Sequence, residues 1–197
     1  MKKNKTSYSK GWANFCGWLL KRLGWTSDGG PMPEDKAIVL GVPHTSAWDF
    51  LVSYLFYTQF RKVAHVMVKK EFFFWPMGPL LRACGCIPVD RSNATALVKS
   101  LIEQMENDGD FKLAIAPEGT RKSVNKWKAG FWHIAKAANV PVYIGYFDWG
   151  RKHIGCGEKF ELTDDCKADM ERLYKIYASM GLEGKHRDGY NLSKTKS

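Results

Sequence analysis

The stretch AIVLGVPHTSAWDF, residues 37–50, decides the fold that we predict for this chain. Its first part, AIVLGV (37–42), is apolar and rich in β-branched residues, which indicates a buried strand. Pro43 has no backbone N–H to donate to a neighbouring strand, so the strand should end there. Ser46 fits a helix N-cap, and the residues that follow keep helical spacing: Phe50, Leu51, Tyr54, Leu55 and Thr58. The stretch therefore predicts a strand, a turn and a helix in succession.

The same alternation of strand-like and helix-like segments continues along the chain. Further apolar strands are predicted within residues 86–91, 111–116 and 140–144. Helical patterns occur near residues 47–59, 93–107, 129–139 and 165–180. The 197 residues contain no glycine-rich or serine-rich linker and are enough for one sizeable core. We predict an α/β fold: a single domain with a mostly parallel central sheet flanked by helices.

His44 and Asp49 are the first candidates for catalysis. A neutral imidazole can accept a proton from a hydroxyl group, and a carboxylate on its other ring nitrogen orients it and stabilises the imidazolium. His44 lies in the predicted turn, and Asp49 lies in the first helical turn, from where it can reach back. Asp49 is equally suited to a structural role, because the spacing from Ser46 also fits a capping box. This segment alone leaves the two interpretations about even.

A second candidate site follows the strand at residues 111–116, in the sequence PEGTR. A glycine-containing turn at the end of a strand presents free backbone N–H groups to an anion. Thr120 adds a hydroxyl group and Arg121 a forked cation, a combination that suits phosphate or carboxylate. The segment CIPVDR (86–91) would bring Arg91 to a neighbouring strand end. Two arginines and a histidine would then converge where open α/β sheets bind ligands.

The order of these motifs resembles the glycerolipid acyltransferase family, whose best-known members acylate lysophosphatidic acid. H-x-x-x-x-D is followed by V-D-R, by P-E-G-T-R and by a strand rich in valine and proline, and the resemblance covers roughly residues 36–148. It implies transfer from acyl-CoA or acyl carrier protein to a hydroxyl group, with His44 as the base and Asp49 as its orienting partner. The acceptor site that it implies consists of Arg91, Glu118, Gly119, Thr120 and Arg121. It implies no metal and no bound cofactor, since the acyl carrier is a co-substrate.

The identity of the acceptor stays open at this stage. Members that act on lysophosphatidic acid commonly carry Asn where this chain has Pro43 and Phe where it has Ala116. A lysophospholipid such as 1-acylglycerol 3-phosphate is the leading acceptor, and another single-chain anionic lipid, such as an N-acyl amino acid, is the alternative. A non-catalytic lipid-binding protein is the rival outside enzymes, but binding alone needs no base. We expect no nucleic-acid partner, because the sequence contains no recognisable groove-reading or base-stacking module.

The first 30 residues differ in character from the rest. Residues 1–10 carry four lysines and no acidic residue. Residues 11–25 predict an amphipathic helix whose apolar face is formed by Trp12, Phe15, Cys16, Leu19, Leu20 and Leu23. A basic, tryptophan-bearing helix suits the plane of a membrane interface, although such a stripe also suits packing on the domain. FFFWP (72–76) is a second candidate for membrane contact.

These patterns divide the chain and indicate its surroundings. We predict a membrane-associating segment at 1–30, an acyltransferase domain at 31–183 and a polar tail at 184–197, which we expect to be frayed from Lys185 onward. The formal net charge of +10 favours contact with anionic membrane lipids. The five cysteines form no C-x-x-C pair, so we expect reduced thiols and no metal site. No stretch suits a membrane span and no signal-peptide pattern opens the chain, so we expect a peripheral protein on the cytoplasmic side of the cell membrane.

Overall fold

The computed structural model describes residues 7–90 and 92–190, which form one seven-stranded sheet with helices on both faces. The strands are β1 (Thr26–Asp28), β2 (Lys36–Val42), β3 (Ala64–Lys69), β4 (Cys86–Val89), β5 (Phe111–Ile115), β6 (Val142–Asp148) and β7 (His153–Phe160). The α-helices are α1 (Lys10–Arg22), α2 (Trp48–Gln59), α3 (Met77–Ala83), α4 (Ala94–Asn107), α5 (Gly130–Ala138) and α6 (Cys166–Met180). Two short 3-10 helices cover residues 70–72 and 187–189. The predicted α/β domain is confirmed.

The sheet has the strand order β1-β7-β6-β2-β5-β3-β4, and every neighbouring pair is parallel except β6 and β7. β2 lies in the centre, with Leu40 in register with Ile115 of β5 on one side and Ile144 of β6 on the other. The predicted mostly parallel sheet is therefore confirmed. Because these three strands are parallel, their carboxyl ends lie at one edge, where open α/β sheets bind ligands.

The apolar character of β2 follows from burial on both faces of the sheet. Successive side chains of a strand point to opposite faces. Leu40 belongs to a hydrophobic cluster on one face that includes Tyr177 of α6. Val39 belongs to a cluster on the other face that includes Leu20 of α1 and Phe56 of α2. A central parallel strand covered by helices on both faces has no solvent-facing positions, which explains the uninterrupted apolar run.

One predicted neighbour relation in the sheet is wrong. β4, the strand that precedes the V-D-R motif, is an edge strand, and β3 separates it from β5. The sequence predicts its end beside the ends of β5 and β2, whereas the structure separates them by β3. The error arose because the order of strands along the chain does not fix their order in a sheet with crossover connections. Arg91 itself lies outside the described residues, so its contact with an acceptor stays a prediction.

Helix α1 packs on the domain and also carries exposed apolar side chains. Cys16 and Leu20 are buried against α2, and the indole N–H of Trp12 donates to the Tyr54 hydroxyl at 2.8 Å. The exposed large hydrophobic residues of the helix and its end are Trp12, Phe15, Trp18 and Leu23. The single apolar face predicted for this helix is therefore divided between the core and the solvent. No helix in the described part of the chain has both the length and the apolar character to cross a membrane.

The start of the predicted polar tail packs onto the domain. Gly184 is buried, and the backbone N–H of His186 donates to Thr45 Oγ1 at 3.3 Å. The expectation of a frayed tail is therefore wrong for residues 185–190, whereas residues 191–197 lie outside the described part of the chain. The polar composition was misleading because this segment is held by backbone hydrogen bonds and close glycine contacts, together with the packing of Tyr190 on the core.

Candidate active site

The candidate residues gather at the carboxyl ends of the three central strands. His44 follows β2, Glu118 follows β5, and Trp149 follows β6. Because β2 lies between β5 and β6, residues more than 70 positions apart in sequence come into direct contact here. The His44 side chain is 30% exposed, whereas the Asp49 side chain is 1% exposed. The site therefore presents an accessible imidazole above a buried carboxylate.

The structure brings His44 and Asp49 together. His44 Nδ1 lies 3.1 Å from Asp49 Oδ2. The same oxygen accepts hydrogen bonds from the backbone N–H groups of Thr45 and Ser46, both at 2.8 Å. A carboxylate accepts hydrogen bonds, so Nδ1 carries the proton and Nε2 is left as an acceptor. An imidazole in this tautomer is suited to take a proton from a hydroxyl group.

Both interpretations of the S-A-W-D segment describe part of the geometry. The N-cap of α2 is Ala47 rather than the predicted Ser46, and Ala47 already has a helical backbone conformation. The Ser46 hydroxyl nevertheless accepts from the Trp48 N–H at 3.2 Å, while Asp49 accepts from the Ser46 N–H. The helix begins one residue later than predicted, because the turn is fixed by Asp49 reaching back to Thr45 and Ser46.

Glu118 supports the backbone of His44 from inside the protein. Its Oε1 accepts from the His44 backbone N–H at 2.9 Å, and Glu118 is buried. The other oxygen, Oε2, is buried and has no hydrogen-bond partner among the described residues. Burial raises the pKa of Glu118 to about 7, although the bond from the His44 N–H acts in the opposite direction. Contact of Glu118 with an acceptor stays a prediction; what the structure gives is a contact with the turn that carries His44.

The rest of the P-E-G-T-R turn differs in one respect from the prediction. The Gly119 N–H donates to the Ala116 carbonyl at 3.0 Å, so the expectation of a free N–H is wrong at this position, because the turn closes on itself. Thr120 and Arg121 are exposed at the surface, where their side chains are accessible to an anion. The Lys128 side chain lies close over the turn. A Cβ atom added to Gly119 would be 2.9 Å from the Cδ atom of Lys128.

Sequence reasoning missed Trp149, which contacts the buried carboxylate directly. Its indole N–H donates to Asp49 Oδ1 at 2.8 Å. The ring packs edge-on against Trp25, with 4.9 Å between centroids. A tryptophan at the end of a strand fits no catalytic motif, so only the placement of β6 beside β2 identifies it. Knowledge of the strand order would have been the signal needed to find it.

Comparisons with known proteins agree on one family. A family model described as Acyltransferase matches residues 28–144, more than half of the chain. The 1-acyl-sn-glycerol-3-phosphate acyltransferase of Streptococcus pneumoniae is 33% identical over 110 residues, covering 55% of this chain and 40% of that protein. The glycerol-3-phosphate acyltransferase of Pseudoalteromonas atlantica is 31% identical, covering 55% of this chain and 16% of that protein. The chain thus matches less than half the length of these curated relatives.

A solved structure shares the fold. The crystal structure of the 1-acyl-sn-glycerophosphate acyltransferase PlsC from Thermotoga maritima matches with a TM-score of 0.58, covering 90% of this chain and 81% of that chain. The sequence identity between the two is 17%. At that identity the likeness concerns the arrangement of helices and strands alone.

The buried Glu118 predicts a specific dependence of stability on pH. Its pKa is raised from 4.5 to about 7, so the folded protein holds this proton more tightly than the unfolded chain does. The stabilisation is fully present below the unfolded pKa and is lost as the pH rises through the folded pKa. In Glu118→Gln, the free energy of unfolding should therefore fall less between about pH 5 and pH 8 than in the wild type, by up to about 3 kcal/mol.

Urea unfolding at a series of pH values in that window measures the difference. Glu158→Gln, a change at an exposed position of β7, controls for the loss of one negative charge. Parallel stability curves for the wild type and Glu118→Gln would contradict the prediction.

Proposed function

The chain belongs to the Acyltransferase family, and from this membership we propose that it transfers a fatty acyl group from acyl-CoA or acyl carrier protein to the hydroxyl group of a lysophospholipid such as 1-acylglycerol 3-phosphate. The observation that carries this proposal is the contact of His44 Nδ1 with Asp49 Oδ2 at 3.1 Å, at the end of the central strand. The acceptors in the names of the two curated relatives, 1-acyl-sn-glycerol 3-phosphate and glycerol 3-phosphate, support this acceptor class.

His44 acts as a general base toward the acceptor in this proposal. Nε2 takes the hydroxyl proton while the hydroxyl oxygen attacks the carbonyl carbon of the thioester. The carbon–sulfur bond then breaks, and the departing sulfur takes the proton from the imidazolium. The products are an ester and a free thiol, and His44 returns to its neutral form. Asp49 holds the imidazole by Nδ1 and stabilises its positive charge during the step.

The acceptor site combines the exposed end of the P-E-G-T-R turn with the V-D-R arginine. Arg121 and Arg91 hold the anionic headgroup, because a guanidinium can donate two parallel hydrogen bonds to a phosphate or a carboxylate. Thr120 is exposed beside Arg121 and offers a hydroxyl group to the same anion. Glu118 keeps the His44 turn in place below this site through its bond to the backbone N–H.

We also propose that the protein lies peripherally on the cytoplasmic face of the cell membrane. Two groups of exposed side chains support this: Trp12, Phe15 and Trp18 on α1, and Phe72, Phe74 and Trp75 before α3. Aromatic side chains of this kind favour the interface between lipid and water. All five cysteines are free thiols, which supports a reducing compartment.

The base proposed for the reaction predicts the outcome of two substitutions. His44→Ala should lower kcat by roughly two to four orders of magnitude, because general-base assistance is lost. Asp49→Asn should also be severe, because the amide cannot stabilise the imidazolium as a carboxylate does. Acyl transfer from acyl-CoA to 1-acylglycerol 3-phosphate measures both effects. His133→Ala, at an exposed position of α5, is the control, and near-normal transfer by folded His44→Ala would refute the mechanism.

The proposed headgroup site predicts an effect mainly on the acceptor's KM. Arg91→Ala and Arg121→Ala should each raise it, while any loss of kcat should reflect misplacement of the hydroxyl group relative to His44. Replacement by lysine should rescue only in part, because a point charge cannot reproduce the bidentate fork. Arg172→Ala, at an exposed position of α6, controls for the lost charge.

The same assay, run with a panel of acceptors, tests the headgroup class. 1-Acylglycerol 3-phosphate, glycerol 3-phosphate, a neutral monoacylglycerol and an N-acyl amino acid are offered with one thioester donor. We expect 1-acylglycerol 3-phosphate to be preferred, whereas preference for the N-acyl amino acid would select the alternative anionic acceptor. Preference for the neutral lipid, or a KM indifferent to both arginine changes, would contradict the headgroup site.

The exposed aromatic side chains of α1 predict which substitutions weaken membrane binding. Deleting the helix would uncover the core, because Cys16 and Leu20 are buried. Replacing Trp12, Phe15 and Trp18 with serine instead should release the protein from anionic liposomes in co-sedimentation. High salt should weaken binding only in part, since screening leaves apolar burial intact. Phe60→Ser, on the exposed end of α2, is the control, and full binding by the α1 variant would move the contact to residues 72–76.

A further inference from the structure

A segment near the carboxyl end of the chain, residues 183–189, lies over the turn that carries the catalytic pair; we name it the C-terminal strap. The His186 N–H donates to Thr45 Oγ1 at 3.3 Å, and Thr45 directly follows His44. The strap packs tightly here, because a Cβ added to Gly184 would be 2.5 Å from Thr45 Cγ2. The backbone N–H of Trp149 donates to the Glu183 carbonyl at 2.8 Å. The strap therefore contacts both the His44 turn and Trp149.

Trp149 is held on several sides. Its backbone is bound to Glu183 of the strap, and its ring forms a T-shaped contact with Trp25 at 4.9 Å between centroids. The ammonium group of Lys185 lies 4.7 Å from the ring centroid, and 4.5 Å from that of Trp48. A cation at this distance from an aromatic face is attracted to it. These contacts fix the direction in which the indole N–H points.

The indole N–H completes the set of donors around the buried carboxylate. Asp49 Oδ2 accepts from His44, Thr45 and Ser46. Within residues 7–90 and 92–190, Trp149 is the hydrogen-bond donor to Oδ1, at 2.8 Å. Without it, Oδ1 would be a buried acceptor with no partner, and the carboxylate would gain freedom to rotate and share its donors differently. Trp149 therefore keeps Oδ2 directed at the imidazole.

We propose that Trp149 is a positioning residue for the His44–Asp49 pair and that the C-terminal strap holds it in place. The expected effect on kcat rests on the proposed acyl transfer, whereas the expected effect on the titration of the His44 imidazole does not. The indole N–H withdraws charge from Asp49, so its removal makes the carboxylate more basic and favours the protonated imidazole. Among the described residues, Glu118 after β5 interacts electrostatically with both members of this pair, and Lys185 of the strap lies over the Trp149 ring.

The decisive comparison is Trp149→Phe against Trp132→Phe. Phenylalanine keeps an aromatic ring and removes the N–H donor. Trp132 is a matched control, because its indole N–H also donates to a buried aspartate, Asp169 Oδ2 at 2.9 Å, between α5 and α6. Two quantities are measured in the 197-residue chain: the titration of the His44 imidazole by NMR, assigned by its loss in His44→Ala, and kcat and KM as functions of pH.

Trp149→Phe should raise the pKa of His44 and move the acid limb of the kcat profile to higher pH. It should lower kcat by about ten- to a hundredfold through misplacement of the base, with KM for both substrates little changed. Trp132→Phe should leave the titration and kcat at their wild-type values. An unshifted imidazole titration in folded Trp149→Phe, or equal effects from both tryptophan changes, would overturn the positioning role.

A second pair of variants tests the strap and covers the case in which Trp149→Phe does not fold. Gly184→Ala places a methyl group against Thr45 and should lift the strap, whereas Gly109→Ala adds the same group where no atom lies within 4 Å. Gly184→Ala should change the His44 titration and kcat in the same direction as Trp149→Phe, and Gly109→Ala should change neither. Wild-type behaviour of Gly184→Ala would overturn the role of the strap. The His44 titration needs no substrate. A wild-type protein that is inactive on all acceptors would therefore refute the proposed function, while the titration would still decide the positioning role of Trp149.

Discussion

The buried carboxylate of Asp49 is the interaction on which the candidate site depends. It accepts hydrogen bonds from His44, Thr45 and Ser46 on one oxygen and from Trp149 on the other. A charge removed from water is tolerated only when donors of this kind surround it. Three of the donors come from the turn after β2 and the fourth follows β6, so this one group ties together the start of α2, the imidazole and the edge of the sheet. Its contacts with the start of α2 and its proposed role beside the imidazole both arise from the same set of bonds.

The parallel arrangement of β5, β2 and β6 supplies the contacts that the turn cannot make alone. Glu118 reaches the backbone of His44 from one side, and Trp149 reaches Asp49 from the other. Each of these residues directly follows a central strand or lies a few positions beyond it, at the edge where the carboxyl ends meet. The edge strand β4 is farther away, with β3 between it and β5. The strand order therefore places Glu118 and Trp149, rather than the end of β4, directly beside the His44 turn.

Two segments that are far apart along the chain, Trp25 after α1 and the strap, both contact Trp149 at this edge. Trp25 forms a T-shaped contact with the Trp149 ring, and Lys185 of the strap lies over its face. Helix α1 buries one part of its surface against α2 and exposes aromatic side chains on another. The segment that follows α1 and the geometry around Asp49 are thus connected through Trp25 and Trp149. The segments that composition alone marks as peripheral are part of the framework of the site.

The sequence by itself determined the α/β fold and the positions of β2, β4, β5 and β6 and of most of the helices, because these follow from local periodicity. It offered the pairing of His44 with Asp49 as one of two interpretations of a single segment, and the resemblance to a family favoured it. It could not place β4 at the edge or find Trp149, because these depend on strand order and on contacts between distant residues. The strap was missed for the same reason. Local patterns fix which elements form, whereas the packing of those elements decides which side chains touch, and only the tertiary structure contains that information.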